Sequence, residues 1–333
     1  MTNPVKTNEL HKPKEIFHSI SVEGIKEVEE RLYDAVSDSH HFTNKICREL
    51  IQSGGKRVRP QLVLCAAQCF QPLNQEAILT AVAYELVHMA SLVHDDVIDF
   101  SKKRRNRPTL NVQIGNYASV LVGDYLFAKA FEILSANQLI KSMNLVVEAI
   151  GEMCDGEIVQ AVNKFNLEQT KEDYYSRIYK KTGILIAACS QAGAVVGGAD
   201  SSSIKAFKEY GMHLGYAFQI IDDILDFTGN TKDLGKPVGS DLKEGNITLP
   251  ILKLAEHKEY KKWLKNIFQQ GSLEKNQYQE ILRLLKDSYA LDEAYEEAVV
   301  CIHKAKEALR AIKDCDQKQL LMDLADKIIT RKN

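Results

Sequence analysis

The sequence predicts an all-α protein, and three observations carry that prediction. Apolar residues recur at helical spacing in segment after segment. No alternation of Val, Ile or Tyr is sustained beyond a few residues, so strands are not expected. Short Gly, Asn or Asp turns divide the segments, and no proline- or serine-rich linker interrupts them. The 333 residues, 45% of them apolar, can bury a sizeable core, and the unbroken helical pattern argues for one domain spanning 1–333 around a central bundle. Net charge is −2, which speaks against coating nucleic acid through bulk charge, so anions must be held by local clusters. Cys47, Cys65, Cys69, Cys154, Cys189, Cys301 and Cys315 are dispersed without a CxxC pair, as expected of reduced thiols in a cytoplasmic protein.

Met1 to Lys14 is polar, carries two prolines and lacks the apolar stretch of a signal peptide, so a loose N-terminal arm is expected. Ile16 to Ser37 reads as a first amphipathic helix and Phe42 to Gln52 as a second. Ser53-Gly54-Gly55-Lys56-Arg57-Val58-Arg59-Pro60 follows. Its glycines permit a tight turn, Pro60 suits a first helical turn, and a helix N-terminus favours anions. Lys56 and Arg59 are the candidates to hold a phosphate. Gln61 to Phe70 is an apolar helix ending before Pro72. Asn74 caps a long one, Gln75 to Asp99. No run of about 18 uncharged apolar residues occurs, so no membrane-spanning helix is expected.

That long helix closes on Asp95-Asp96-Val97-Ile98-Asp99. Positions i and i+4 share a helix face, so Asp95 and Asp99 project together with Asp96 beside them. Three like charges on one face repel unless hard cations neutralise them, and oxygen-only ligands with open positions suit Mg²⁺ shared with substrate phosphates. His88, two turns before Asp95 on nearly the same face, is a candidate substrate contact, whereas His94 is expected to be a satisfied polar side chain. Lys102 to Arg107 then places five cations in six residues. Alone this would be a solvated loop. Directly after an acidic cluster, its arginines offer forked donors to phosphate oxygens.

Further helices are expected over Tyr117–Ser135, Gln138–Asn163, Thr170–Gly197 and Ser202–Phe227. Lys180-Lys181-Thr182-Gly183 puts cations and a hydroxyl inside the third of these, where a plain surface lysine is the competing reading. The fourth ends on a second acidic triplet, Asp222, Asp223 and Asp226, with Gln219 one turn earlier. Thr228 to Gly239, carrying Lys232 and Lys236, reads as a lid beside it. The helices beyond Pro250 are rich in Lys and Glu and show no site signature.

Six motifs appear in one order: GGKRVRP, ELVHMASLVHDDVID, RRNRPT, KTG, GYAFQIIDDILDF and GKPVGSDLKEGNITLP. In these the chain resembles the trans-polyprenyl diphosphate synthases, from about Gly54 to Pro250. The resemblance implies an isoprenoid synthase-type helical bundle around a central cavity, with the two acidic motifs facing each other across it. It further implies Mg²⁺ bound by Asp95, Asp96, Asp99, Asp222, Asp223 and Asp226, gripping the diphosphate of an allylic substrate that Arg104 also holds. Lys56, Arg59, His88 and Arg105 would bind isopentenyl diphosphate. Lys181, Thr182 and Gln219 would stand near the reacting carbon, and Lys236 would arrive with the lid. Two loop positions depart from the family: it often has a glycine between the paired arginines and the proline, and a lysine where Asn246 stands.

Product length would be set one turn before Asp95. Ala90 and Ser91 are small there, whereas in the family a bulky aromatic blocks elongation, so a medium to long all-trans product is expected. The phrase around Asp95 is similar to catalytic subunits of bacterial two-component synthases that extend farnesyl diphosphate for quinone side chains, which implies a heteromer with a small regulatory subunit. A self-sufficient homodimer is the alternative, and release of an apolar product would bring transient membrane contact. Three rival classes are weaker. A non-catalytic partner subunit would lack the acids, a terpene cyclase would not need the Lys56, His88 and Arg105 set, and a nucleic-acid binder would need aromatic interleaving around Lys102 to Arg107.

Overall fold

The computed structural model describes residues 22–105, 107–229 and 238–330. The expected N-terminal arm lies outside these residues, as do Lys232 and Lys236. The first half of the chain runs α1 (Ile25–Ala35), α2 (His41–Gln52), α3 (Val58–Gln68), α4 (Gln75–Ile98), a minimal hairpin of β1 (Lys103–Arg104) and β2 (Arg107–Pro108), α5 (Leu110–Ala136) and α6 (Ile140–Val162). The second runs α7 (Lys171–Ile178), a single π-helical turn (Tyr179–Gly183), α8 (Ile184–Val196), α9 (Ser201–Thr228), α10 (Ser240–Lys243), α11 (Leu249–Glu256), α12 (Lys258–Phe268), α13 (Lys275–Asp287), α14 (Ala290–Ala308) and α15 (Asp316–Ile329). The expected all-α architecture is the observed one.

α4 is apolar on every face, so it can only be a core helix. It is covered by α5, α3, α8 and α1. By length and composition it could cross a membrane, contrary to the expectation from the sequence, yet 78% of its most apolar stretch is buried within the bundle. Its start is as expected: the Asn74 side chain accepts a hydrogen bond from the Ala77 amide at 2.7 Å.

α8 is the second internal helix, buried nearly end to end among α3, α4, α6 and α9. Small residues make that crowding feasible. A Cβ on Gly193 would lie 2.3 Å from the Val63 carbonyl oxygen of α3, and one on Gly211 of α9 would lie 2.6 Å from the Ala187 Cα. α14 lies along α9, and α15 closes the bundle over α3 and α9.

Several boundaries differ from the sequence expectation: the first helix starts at Ile25, after the non-helical residues 22–24, and α3 starts at Val58 instead of Gln61. α5 begins at Leu110 and bends at Gly115, whose φ of 82° and ψ of 161° break the helix just before the expected start at Tyr117. The helix expected over Thr170–Gly197 is interrupted by the π turn at Tyr-Lys-Lys-Thr-Gly. Such turns concentrate at functional sites, because an extra residue shifts the direction of the side chains around it.

Candidate active site

The first acidic triplet sits at the C-terminal end of α4. Asp95 is half-buried, Asp99 is exposed and Asp96 is buried. Asp96 is engaged by the hairpin: Arg104 donates from Nε at 3.0 and 3.1 Å and from Nη2 at 2.9 Å. The hairpin is itself tied to the helix end, because Asn111 donates to the Asp96 carbonyl at 3.0 Å and Thr109 Oγ1 to the Ser101 carbonyl at 2.6 Å. Arg104 and Asp96, expected on diphosphate and on metal respectively, are therefore bonded to each other.

Asp95 and Asp99 face a different neighbourhood. Burial pushes the Asp95 carboxyl up to about 6, with Lys181 pulling it down and Glu157 and Asp99 pushing it further up. Asp99, although its side chain reaches solvent, is raised as well, by partial desolvation first and by Glu157 and Asp96 among its neighbours. Such a carboxylate surplus attracts cations. Among the described residues no three His, Cys, Asp or Glu side chains form a ready-made metal cage. That donor set fits Mg²⁺, which takes one or two protein carboxylates and completes its shell with phosphates and water.

A basic cluster lies on the neighbouring side of α4. The turn after α2 releases Lys56, Arg57 and Arg59 at the start of α3, α4 contributes His88, and the hairpin contributes Arg105. The guanidinium of Arg105 occupies the space beside Gly55, where a Cβ would be 2.9 Å from its Nη2. Burial drives the pKa of His88 well below the ordinary imidazole value, and Arg59, Arg105, Arg104 and Arg57 add to the effect. Among the described residues the buried Nε of Arg59 has no hydrogen-bond partner. Crowded guanidiniums around a neutral histidine, with a donor unsatisfied, are suited to an anion. Beneath them Arg57 and Glu85, both buried, form an ion pair of 2.8 Å that the sequence reading passed over. The cluster opens on a cavity of about 530 Å³ with Met89, Leu92, Val93 and Leu110 on its apolar wall. Ala90 and Ser91 do not line it: Ala90 is fully buried, and the Ser91 hydroxyl donates to the His88 carbonyl at 2.9 Å. His94 is satisfied, its Nε2 donating to the Val120 carbonyl at 3.0 Å.

The second triplet belongs to α9 and is wired into the protein. Thr182 Oγ1 donates to Gln219 Oε1 at 2.7 Å, Gln219 Nε2 donates to Asp223 Oδ1 at 2.9 Å, and the buried Tyr174 hydroxyl donates to Asp223 Oδ2 at 2.7 Å. Burial pushes the Asp223 carboxyl up to about 7, and Asp241 adds to the shift. Asp226 accepts from the Ser240 hydroxyl at 2.9 Å and the Asp241 amide at 3.2 Å. Both oxygens of these two aspartates are thus taken up by protein donors, while Asp222 is half-buried. Tyr174 and Glu157 are further members of the site that the sequence reading missed. The only available signal for Glu157 was its position after Gly156, a glycine inside a helix and so a mark of close approach.

The π turn stands between the two acidic ends. Lys181 acts on Asp95 and Asp99, and the adjacent Thr182 reaches Asp223 through Gln219. Residues 40–285, well over half of the chain, match the model of the family described as Polyprenyl synthetase. The chain belongs to the polyprenyl synthetase family. This polyprenyl synthetase is 37% identical over 309 residues to heptaprenyl diphosphate synthase component 2 of Geobacillus stearothermophilus, covering 93% of this chain and 96% of the relative. It is 36% identical over 278 residues to octaprenyl diphosphate synthase of Haemophilus influenzae, covering 83% and 84%. Its fold matches a polyprenyl synthase from Caulobacter crescentus complexed with calcium and isoprenyl diphosphate, with a TM-score of 0.87 at 31% identity, covering 97% of this chain and all of that one. The chain is a trans-prenyltransferase of the polyprenyl diphosphate synthase class.

Proposed function

We propose that this polyprenyl synthetase joins isopentenyl diphosphate head-to-tail to an allylic diphosphate, farnesyl diphosphate being the expected primer. The observation that carries this reading is the meeting of both acidic helix ends at Lys181 and Thr182, with a basic cluster alongside. Lys56, Arg59, His88 and Arg105 bind isopentenyl diphosphate through its phosphate oxygens. Asp95, Asp99 and Asp222 would hold Mg²⁺, which supplies Lewis acidity to the departing diphosphate. As the allylic C–O bond breaks, Lys181 stabilises the anion that leaves, and the Thr182–Gln219 pair presents oxygen dipoles towards the carbon left positive. The double bond of isopentenyl diphosphate attacks that carbon, the released diphosphate takes up the proton that is then lost, and five carbons are added. The apolar wall keeps out the water that would quench the cation.

The small Ala90 and Ser91 support a medium- to long-chain product, because neither sets a ring beneath Asp95. The relative named as component 2 of a heptaprenyl synthase supports catalysis within a heteromer that includes a small subunit, for quinone side chains. A self-sufficient synthase is the second reading, favoured by the octaprenyl relative. Either assembly has a surface to use: Tyr117 and Leu121 of α5 and Val147, Ile158 and Val162 of α6 are exposed. The test is incorporation of radiolabelled isopentenyl diphosphate into farnesyl diphosphate with Mg²⁺, with and without the candidate small subunit, followed by mass analysis. Incorporation only with the subunit supports the heteromer, incorporation without it supports the second reading, and none in either arm sinks both. Ser91→Phe is expected to shorten the product, and an unchanged distribution would remove Ser91 from the ruler.

A further inference from the structure

We infer that Glu157 is a positioning residue that draws Lys181 away from Asp95 and Asp99, so that this carboxylate pair stays open to metal and diphosphate. The inference deepens the functional reading above and rests on it. The Lys181 ammonium lies among three carboxylates, Glu157, Asp99 and Asp95, and its bond goes to Glu157 at 2.8 Å. Both partners are part-buried, so the pair is shielded from solvent more than a surface pair would be.

Packing dictates that choice of partner. Where the π turn crosses α6, the helix carries Gly156, and a Cβ there would lie 2.6 Å from the Cβ of Lys180. On the opposite side Gly215 of α9 meets Gly183, whose Cα would lie 2.5 Å from an added Cβ. The π turn is thus pressed between α6 and α9 with no side chain to hold it off either helix. Lys180 is secured to the same α6 by Asp155 and by Glu152. Consecutive lysines of one turn therefore both bind α6, the first with Glu152 and Asp155 and the second with Glu157.

Without the Glu157 charge, the carboxylates left to the Lys181 ammonium are Asp95 and Asp99. A lysine settled on that pair competes with a divalent cation for the same oxygens. With Glu157 in place, Lys181 stays opposite the pair, within reach of a diphosphate that arrives between them. Glu157 therefore acts through Lys181 and needs no contact with the reacting atoms.

The experiment measures, by titration calorimetry on the full chain, the Mg²⁺ concentration at which the unreactive analogue farnesyl thiodiphosphate is half-maximally bound. Glu157→Gln, which keeps the shape of the side chain, is expected to raise that concentration roughly fivefold. In a Lys181→Met background the same substitution is expected to change nothing, because no ammonium remains to be misplaced. An equal rise in both backgrounds would mean that Glu157 acts on the metal itself and would overturn the inference, as would no rise with Lys181 present. Thermal melts of the variants check that the fold is kept. The titration is run with and without the candidate small subunit. Failure of the unmodified chain to bind the analogue at any Mg²⁺ concentration in both arms would overturn the functional reading, and this inference with it.

Discussion

Asp95 and Asp99 close α4 half-buried and exposed, respectively, whereas Asp223 and Asp226 of the second triplet are 2% and 1% exposed. The two motifs share their spacing and differ at the last position: Asp95 matches the half-buried Asp222 and Asp96 the buried Asp223, but the exposed Asp99 stands where the second motif has the buried Asp226. The first pair has its charge opposed by burial and by one another, and so is poised for a cation. Asp223 and Asp226 are bonded within the protein as well: Asp223 anchors Gln219 and Tyr174, and Asp226 fastens the start of α10. An acidic motif therefore does not by itself say which of its carboxylates meets the ligand.

That contrast can be broken by substitution, most strongly at the first motif. Asp95→Ala is expected to lower isopentenyl incorporation on the order of 10³-fold, as loss of one anchor for transition-state charge would. Its melting temperature should hold or rise, because a carboxyl pushed up to about 6 is one whose charge the folded state disfavours. A melt lowered by many degrees would put Asp95 in the structural class and erase the contrast. Asp223→Ala is expected to lose both activity and about 2 kcal/mol of stability in urea unfolding, since the buried Tyr174 hydroxyl and Gln219 amide lose their acceptor. Full stability with dead chemistry would instead make Asp223 resemble Asp95.

Tyr174→Phe sharpens the same point at smaller scale. It deletes one bond and leaves Gln219 on Asp223, so about 1 kcal/mol of stability and less than tenfold in kcat should be lost. The smallest effect concerns His88, on the ligand-facing side. Its folded pKa lies well below the ordinary value, so below about pH 6.5 the unfolded chain takes up a proton that the folded chain refuses. Stability from this group is present above that pH and is lost as pH falls. His88→Gln should therefore show a shallower fall of melting temperature between about pH 6.5 and pH 5 than the unmodified chain. Parallel curves would refute the assignment.

Much of this was legible in the sequence because it is written in local patterns. Helical periodicity, the Asn74 cap and the spacing of both triplets are short-range signals, and the structure reproduces them. The π turn was read as continuous helix because its surroundings are tertiary: Gly156 and Gly215, far apart in sequence, let α6 and α9 approach it closely. For the same reason the pairing of Arg104 with Asp96 was missed. Each residue type suited a ligand equally well, and only the path of the hairpin brings the two together. Glu85 and Tyr174 sat in apolar or amphipathic runs where nothing marked the polar atom as needing a distant partner.

α4 has one more consequence, and it concerns how the chain reaches its native state. A helix so apolar that it could cross a bilayer has no face it can leave to water while its neighbours are being made. Its coverings, α3 before it and α5 and α8 after it, are spread along nearly 140 residues, from Val58 to Val196. A fragment ending before α5 would leave the α5 and α8 sides of that helix uncovered and is expected to aggregate or partition into lipid. The helix that delivers Asp95 to the site thus ties the acquisition of solubility to completion of more than half of the chain.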